Sequence, residues 1–162
     1  PALLEYVVKT TEGPARFLDP VSAAKAVRAA DIIGEFDIIK PNLLEAEILS
    51  GIRIRDEKGI RKAGAAFLDK GVQKVYITLG ENGVYYADGG SDGFIRPGDV
   101  EIVSATGAGD AFSAAIIMGF IKNLSTEQTA KLGMAAAAFA MKSSTAVNKN
   151  ICMEGIRCLA NI

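Results

Sequence analysis

Short apolar runs alternate along the chain with longer stretches in which apolar residues recur every three or four positions. The first pattern marks buried strands, the second helices packed on one face. Leu3, Leu4, Val7 and Val8 form a helical stripe at the start. Residues 15–18 are a short apolar run closed by Asp19-Pro20. Ser22 can cap a helix running through Ala24, Val27 and Ala30. Residues 36–39 are a second strand-like run, closed by Lys40-Pro41. Asn42 can cap a short helix over 43–50, which Gly51 stops. Asp56 opens a longer helix with Ile60, Ala63, Gly64, Phe67 and Leu68 on one face, closed by Gly71. Residues 75–79 are a third strand, ended by Gly80. Tyr85-Tyr86 and Phe94-Ile95 flank a glycine-rich stretch over 88–93 and predict an antiparallel hairpin. An extended, β-favouring run, Val100-Glu101-Ile102-Val103, leads into a helix with Phe112, Ala115, Ile116, Gly119 and Phe120 on one face. Ser125 with Gln128 resembles a capping box for a helix that buries Met134, Ala137, Ala138 and Met141. Residues 151–162 predict a last helix.

This alternation argues for an α/β fold, a parallel sheet with helices on both faces. At 162 residues the chain has one domain's length, enough to bury a sizeable core. In such sheets ligands bind beyond the carboxyl ends of the strands. Polar and glycine punctuation falls at those ends: Asp19, then Lys40-Pro41-Asn42, then Thr78-Leu79-Gly80. Asn42 and Glu45 lie one turn apart at a helix start, so their side chains can face one point. They can serve a magnesium-phosphate site, directly or through water. Seen in isolation, they read more readily as an N-cap with a dipole-complementing carboxylate.

Thr106-Gly107-Ala108-Gly109-Asp110 sits where an extended segment turns into a helix. The first amides of a helix point outward unpaired, and its dipole is positive there. Gly107 and Gly109 carry no side chain, so a phosphate can approach closely. A carboxylate beside a phosphate does not help to hold it. Asp110 makes more sense as a base acting on a hydroxyl, which points to phosphoryl transfer. Alone, the motif is also a plain glycine-rich helix start with Asp110 set against the dipole.

Charge is balanced, 18 basic residues against 19 acidic, which gives no sign of a nucleic-acid or membrane surface. The longest apolar run is too short to span a bilayer. No secretory signal is read at the start. Cys152 and Cys158 match no metal or redox spacing and are expected as free thiols in a reducing, cytoplasmic compartment. The absence of histidine removes Ser-His and Cys-His nucleophiles and the common zinc sites. The first residue is Pro1, in what reads as mid-helix, and mean hydropathy is high at +0.23. Both features are expected of a piece of a larger chain whose apolar surface faced another part.

Taken together, these residues resemble the carboxyl-terminal half of the ribokinase-like, or PfkB-type, carbohydrate and nucleoside kinases. The resemblance implies a three-layer αβα fold over residues 1–162, with an amino-terminal part and a β-sheet lid missing. It implies Asp110 as catalytic base, with the amides of Gly107, Ala108 and Gly109 as anion hole beside Thr106. Lys40-Pro41-Asn42-Leu43-Leu44-Glu45 resembles the family's Asn-x-x-Glu segment, which makes Asn42 and Glu45 the magnesium and phosphate organisers. Thr78-Leu79-Gly80-Glu81-Asn82-Gly83 is similar to the Thr-x-Gly-x-x-Gly turn bordering ATP, through Thr78, Gly80 and Gly83. The 135–140 helix and the 143–148 loop, with Ala138 and Asn148, resemble the adenine side. Ser104-Ala105 stand where many members have Asp-Thr. That Asp commonly helps to bind potassium, so use of a monovalent cation is left open. Ser104-Ala105-Thr106, Leu18-Asp19-Pro20-Val21-Ser22 and Ala146-Val147-Asn148 are more like the pseudouridine kinase branch.

The implied reaction is ATP- and magnesium-dependent phosphorylation of a small-molecule sugar or nucleoside, without nucleic acid or membrane. A noncatalytic nucleotide-binding module is the first alternative. A dinucleotide-binding oxidoreductase is the second, but Gly107-Ala108-Gly109 is followed by Phe112, not glycine, and no acidic residue stands at a later strand end. The chain as it stands is expected to self-associate through an apolar edge and to bind nucleotide weakly. It is expected to transfer no phosphate, since half a site cannot hold an acceptor in line or exclude water.

Overall fold

The computed structural model describes residues 2–98, 103–143, 145, 148 and 152–161. Elements follow in the order α1 (Ala2–Thr10), β1 (Phe17–Leu18), α2 (Ala23–Ala26), a 3-10 segment (Val27–Glu35), β2 (Ile38–Ile39), α3 (Leu43–Ser50) and α4 (Glu57–Asp69). Then come β3 (Lys74–Thr78), a 3-10 turn (Gly80–Asn82), β4 (Val84–Asp88), β5 (Asp92–Ile95), α5 (Ala108–Ile121), α6 (Thr126–Met141) and α7 (Met153–Ala160). The five strands lie in sequence order in one sheet. β1, β2 and β3 are parallel, with Leu18 opposite Ile39 and Ile39 opposite Val75. The links from β3 to β4 to β5 are too short for crossovers, so the sheet ends in antiparallel strands and is mixed. The Asp88 carboxylate closes the hairpin turn, accepting from the amides of Gly90 and Ser91.

The chain divides into two compact units, Pro1–Gly80 with Tyr85–Gly93, and Glu81–Val84 with Phe94–Ile162. In the first, α3 and α4 pack on β3, and Ile39, Leu49, Phe67, Val75 and Ile77 are buried. The Arg16 guanidinium caps the end of α1, donating to the carbonyls of Val8 at 2.7 Å and Thr11 at 2.6 Å. Leu3, Tyr6 and Val7 are exposed, so only part of the α1 stripe is covered. In the second unit α6 packs on both α5 and α7, around Ala115, Leu132, Ala135, Ala136, Ile156 and Ala160.

Four sequence expectations change. Ser22 is the N-cap of α2 by position, but its side chain makes no capping bond; its carbonyl closes the turn by accepting from Lys25 and Ala26. The helix tightens to 3-10 geometry from Val27, with a kink at Ile32. On α6 the fully buried residues include Leu132, Gly133, Ala135, Ala136 and Ala138, whereas Met134, Ala137 and Met141 are half-buried. Gly119 and Gly133 explain this face. A Cβ on Gly119 would stand 2.5 Å from Thr129 Oγ1, and one on Gly133 2.7 Å from Phe112 Cζ, so α5 and α6 cross where only glycine fits. Phe120, on the predicted face of α5, is 42% exposed. The expected strand over 100–102 lies outside the described residues; Val103 follows it as a bend whose amide donates to the Met141 carbonyl at 2.9 Å.

Candidate phosphoryl-transfer site

In the first unit the predicted residues gather at the carboxyl ends of the parallel strands. Beyond β2, Asn42 forms an isolated parallel bridge with Thr78, and the Thr78 amide donates to the Pro41 carbonyl at 2.9 Å. Asn42 and Thr78 are thus brought together by the sheet itself. Asn42 caps α3: its Oδ1 accepts from the Glu45 amide, and the Glu45 Oε2 accepts from the Asn42 amide, each at 2.9 Å. The local capping reading of this pair is therefore realised. It uses only half of the Glu45 carboxylate. Glu45 is 2% exposed, and its Oε1 is buried with no hydrogen-bond partner among the described residues. An orphaned, buried carboxylate oxygen is costly. It fits a hydrated magnesium ion, which is held through its waters by one or two carboxylates. No group of three His, Cys, Asp or Glu able to hold a metal occurs among the described residues.

Gly80, after β3, is exposed, with nothing near its Cβ position. In the second unit Gly83 is buried, and any Cβ there would run into the Ile95 carbonyl. Its φ of 94° also lies in the left-handed region, so both the close packing and the backbone call for glycine there.

Also in the second unit, α5 starts at Gly107, which caps it in the left-handed conformation at φ 85°. A side chain would strain that turn. Thr106, Gly109 and Asp110 are exposed. The Ser104 hydroxyl accepts from the Thr106 amide at 3.2 Å, which ties down the loop before the helix. The Ala108 amide is donated to the Ala105 carbonyl at 3.3 Å. Asp110 occupies the third position of α5, where a carboxylate commonly bonds back to the cap. α5 has no side-chain cap, and the Asp110 carboxylate has no protein partner among the described residues. It stands free beside a positive helix end.

Ala138 lies in α6 and is buried. The Asn148 side chain donates to the Phe139 carbonyl at 2.7 Å, tying Asn148 to that helix. Ala146 and Val147 lie outside the described residues. Phe112, where a dinucleotide fingerprint has glycine, is buried against Gly133. Cys152 and Cys158 are free and exposed. Among the described residues no helix is long and apolar enough to cross a membrane. The sequence places Asp19 and Lys40 at strand ends and in family-like segments but does not pair them; they form an ion pair of 3.0 Å in this same row of strand ends.

The sequence profile of the pfkB family carbohydrate kinases matches residues 9–151. The chain is 28% identical to the pseudouridine kinase of Escherichia coli K12 over 154 residues, covering 94% of this chain and 49% of that protein. It is 35% identical to the ribokinase of Haemophilus influenzae over 124 residues, covering 76% of this chain and 40% of the relative. Among solved structures, a protein described as a sugar kinase from Clostridium perfringens superposes with a TM-score of 0.94 at 33% identity, over 99% of this chain and 51% of that one. The ribokinase of Thermotoga maritima superposes at 0.77 with 26% identity, over 97% and 52%. The chain thus spans about half the length of these relatives. With the matched profile, the shared fold and the Thr-Gly-Ala-Gly-Asp turn at the head of α5, this chain belongs to the pfkB family of carbohydrate kinases.

Proposed function

We propose that residues 1–162 are the carboxyl-terminal, ATP-binding part of an enzyme that moves the terminal phosphoryl group of ATP to a hydroxyl of a small sugar or nucleoside. The observation that carries this reading is the Asp110 carboxylate, exposed and without a partner among the described residues, in the first turn of a glycine-capped helix. A carboxylate that served only the helix would be bonded to its cap, as Glu45 is.

Asp110 accepts the proton of the attacking hydroxyl as the oxygen bonds to phosphorus. The amides of Gly107 and Gly109 have no acceptor among the described residues and can donate to the charge that develops on the transferring group. Ala108 contributes less, because its amide already faces Ala105. Asn42 holds Glu45 in place by capping, and Glu45 Oε1 takes a water of the magnesium ion. Bound magnesium would neutralise phosphate charge. Thr78, Gly80 and Thr106 serve the phosphates, and Ala138 and Asn148 the adenine. Gly83 keeps the turn closed. The similarity to a pseudouridine kinase over nearly the whole chain favours a nucleoside-like acceptor.

The chain covers about half of its relatives. By itself it is proposed to bind nucleotide weakly, to transfer nothing, and to self-associate through surfaces such as the exposed part of the α1 stripe, Leu3 and Val7. A thermal-shift comparison of Mg·ATP with NAD tests the nucleotide, and a coupled assay of ATP consumption with sedimentation tests the rest. Stabilisation by NAD and not by ATP would overturn the kinase reading. A monodisperse monomer that consumes ATP only when a sugar or nucleoside is present would show the 162 residues to be a sufficient enzyme.

A further inference from the structure

On that nucleotide reading, we propose that Asp19 is a positioning residue, which holds the Lys40 ammonium ready for the phosphates of the nucleotide. Lys40 is only 6% exposed. Burying an ammonium is costly unless it is paired and hydrogen-bonded. Its one partner among the described residues is Asp19 Oδ2, at 3.0 Å. An ammonium carries three donors, so two remain for another acceptor.

The fold puts this pair in the right place. Leu18 lies opposite Ile39, and the Lys40 amide donates to the Leu18 carbonyl at 2.9 Å. Residues 19 and 40 therefore emerge side by side from the carboxyl ends of β1 and β2. One strand further on, Asn42 bridges Thr78 at the end of β3. The row offers a cation with spare donors and, at Glu45, an anion with a spare acceptor. Those are the two needs of a metal-bound phosphate.

The backbone supplies an independent observation. Val21 adopts φ 66°, in the left-handed region, which a β-branched residue rarely visits. It is 68% exposed, so packing does not force it there. Its amide donates to Asp19 Oδ1 at 3.3 Å. One oxygen of Asp19 thus folds the strained turn and the other faces Lys40. Strain of this kind survives where the surroundings over-determine it, and clusters at ligand clamps. A pin between two strand ends would not require it.

Calorimetric titration of the chain with Mg·ATP and with adenosine separates positioning from pinning. Asp19→Asn and Lys40→Met should each weaken ATP about tenfold, the worth of one charged hydrogen bond, and leave adenosine unchanged. Asp19→Glu should recover most of the loss. The double variant should bind ATP no worse than Lys40→Met, because Asp19 acts through Lys40. If Asp19→Asn does not fold, Val21→Gly serves instead. It relaxes the turn and should weaken ATP several-fold without lowering the thermal midpoint. Unchanged ATP affinity, equal losses for adenosine, or additive losses in the double variant would each overturn the proposal. A wild-type chain that binds neither ATP nor adenosine would overturn the nucleotide reading itself, and this assignment with it.

Discussion

Asn42 and Glu45 are bonded to each other twice, side chain to amide in both directions, at 2.9 Å each. The pair does two jobs that mutation can separate. Asn42→Ala removes the cap and should cost about 1 kcal/mol of stability. Glu45→Gln keeps an acceptor for the Asn42 amide but removes the charge at the orphaned oxygen. It should leave stability within about 1 kcal/mol of wild type, because a buried unpaired charge is relieved, and should abolish the gain in ATP affinity on adding magnesium. Urea unfolding and titrations with and without magnesium check both. A Glu45→Gln chain with wild-type magnesium dependence would leave Glu45 as a cap only.

Asp110 should matter for transfer and little for binding. In the active enzyme Asp110→Asn should lower turnover by about two to four orders of magnitude, the range for a general base. Affinity for ATP should change less than about threefold. Near-normal turnover would remove Asp110 from the chemistry.

Ser104 predicts weak or absent potassium activation. A neutral hydroxyl is a poorer cation ligand than a carboxylate, and this one already accepts from the Thr106 amide. Rates in potassium, sodium and a large organic cation decide the point; a strong potassium requirement would contradict it.

Thr129 is buried, and its hydroxyl has no partner among the described residues. Thr129→Val keeps the shape and removes an unsatisfied group, so it should be neutral or stabilising by up to about 1 kcal/mol. Gly119→Ala, facing the same hydroxyl, should destabilise by about 1–3 kcal/mol through overpacking. Thermal unfolding measures both, and a destabilised Thr129→Val would mean that the hydroxyl is bonded after all.

Tyr85 sets an alkaline limit. Burial pushes its phenol above 10.0, and the nearby Arg61 pulls the other way. Folding therefore favours the protonated form. That contribution is intact below about pH 10 and fades as pH rises through the raised value. Tyr85→Phe should lose less stability than wild type between about pH 9 and about pH 11. Parallel losses in denaturant midpoints would show that Tyr85 does not titrate in this range.

What was legible in the sequence was local. The Asn42 cap of α3 and the capping box of α6 are i, i+3 relations and formed as read, with Glu45 closing a box on α3 as well. So did the hairpin and the glycine-capped start of α5. The face of α6 was misread because that helix is alanine-rich nearly all round, so periodicity could not choose a side; contacts with Gly119 and Phe112 chose it. The Asp19–Lys40 pair spans β1 and β2, and only strand register brings such residues together. The left-handed Val21 has no sequence signal, since nothing about valine announces it.

The two glycine crossings on α5 and α6 also set a bearing. A helix turns by about 100° per residue, so its rotation about its own axis fixes where each side chain points. Gly119 seats Thr129 near one end of α5, and Phe112 seats on Gly133 near the other. Held at two points, α5 cannot roll against α6 without unseating one of them. Asp110 lies two residues from Phe112 on the same helix. Its compass direction is thus governed by how α5 seats on α6. Variants that thicken either crossing should misdirect the carboxylate while leaving its chemistry intact.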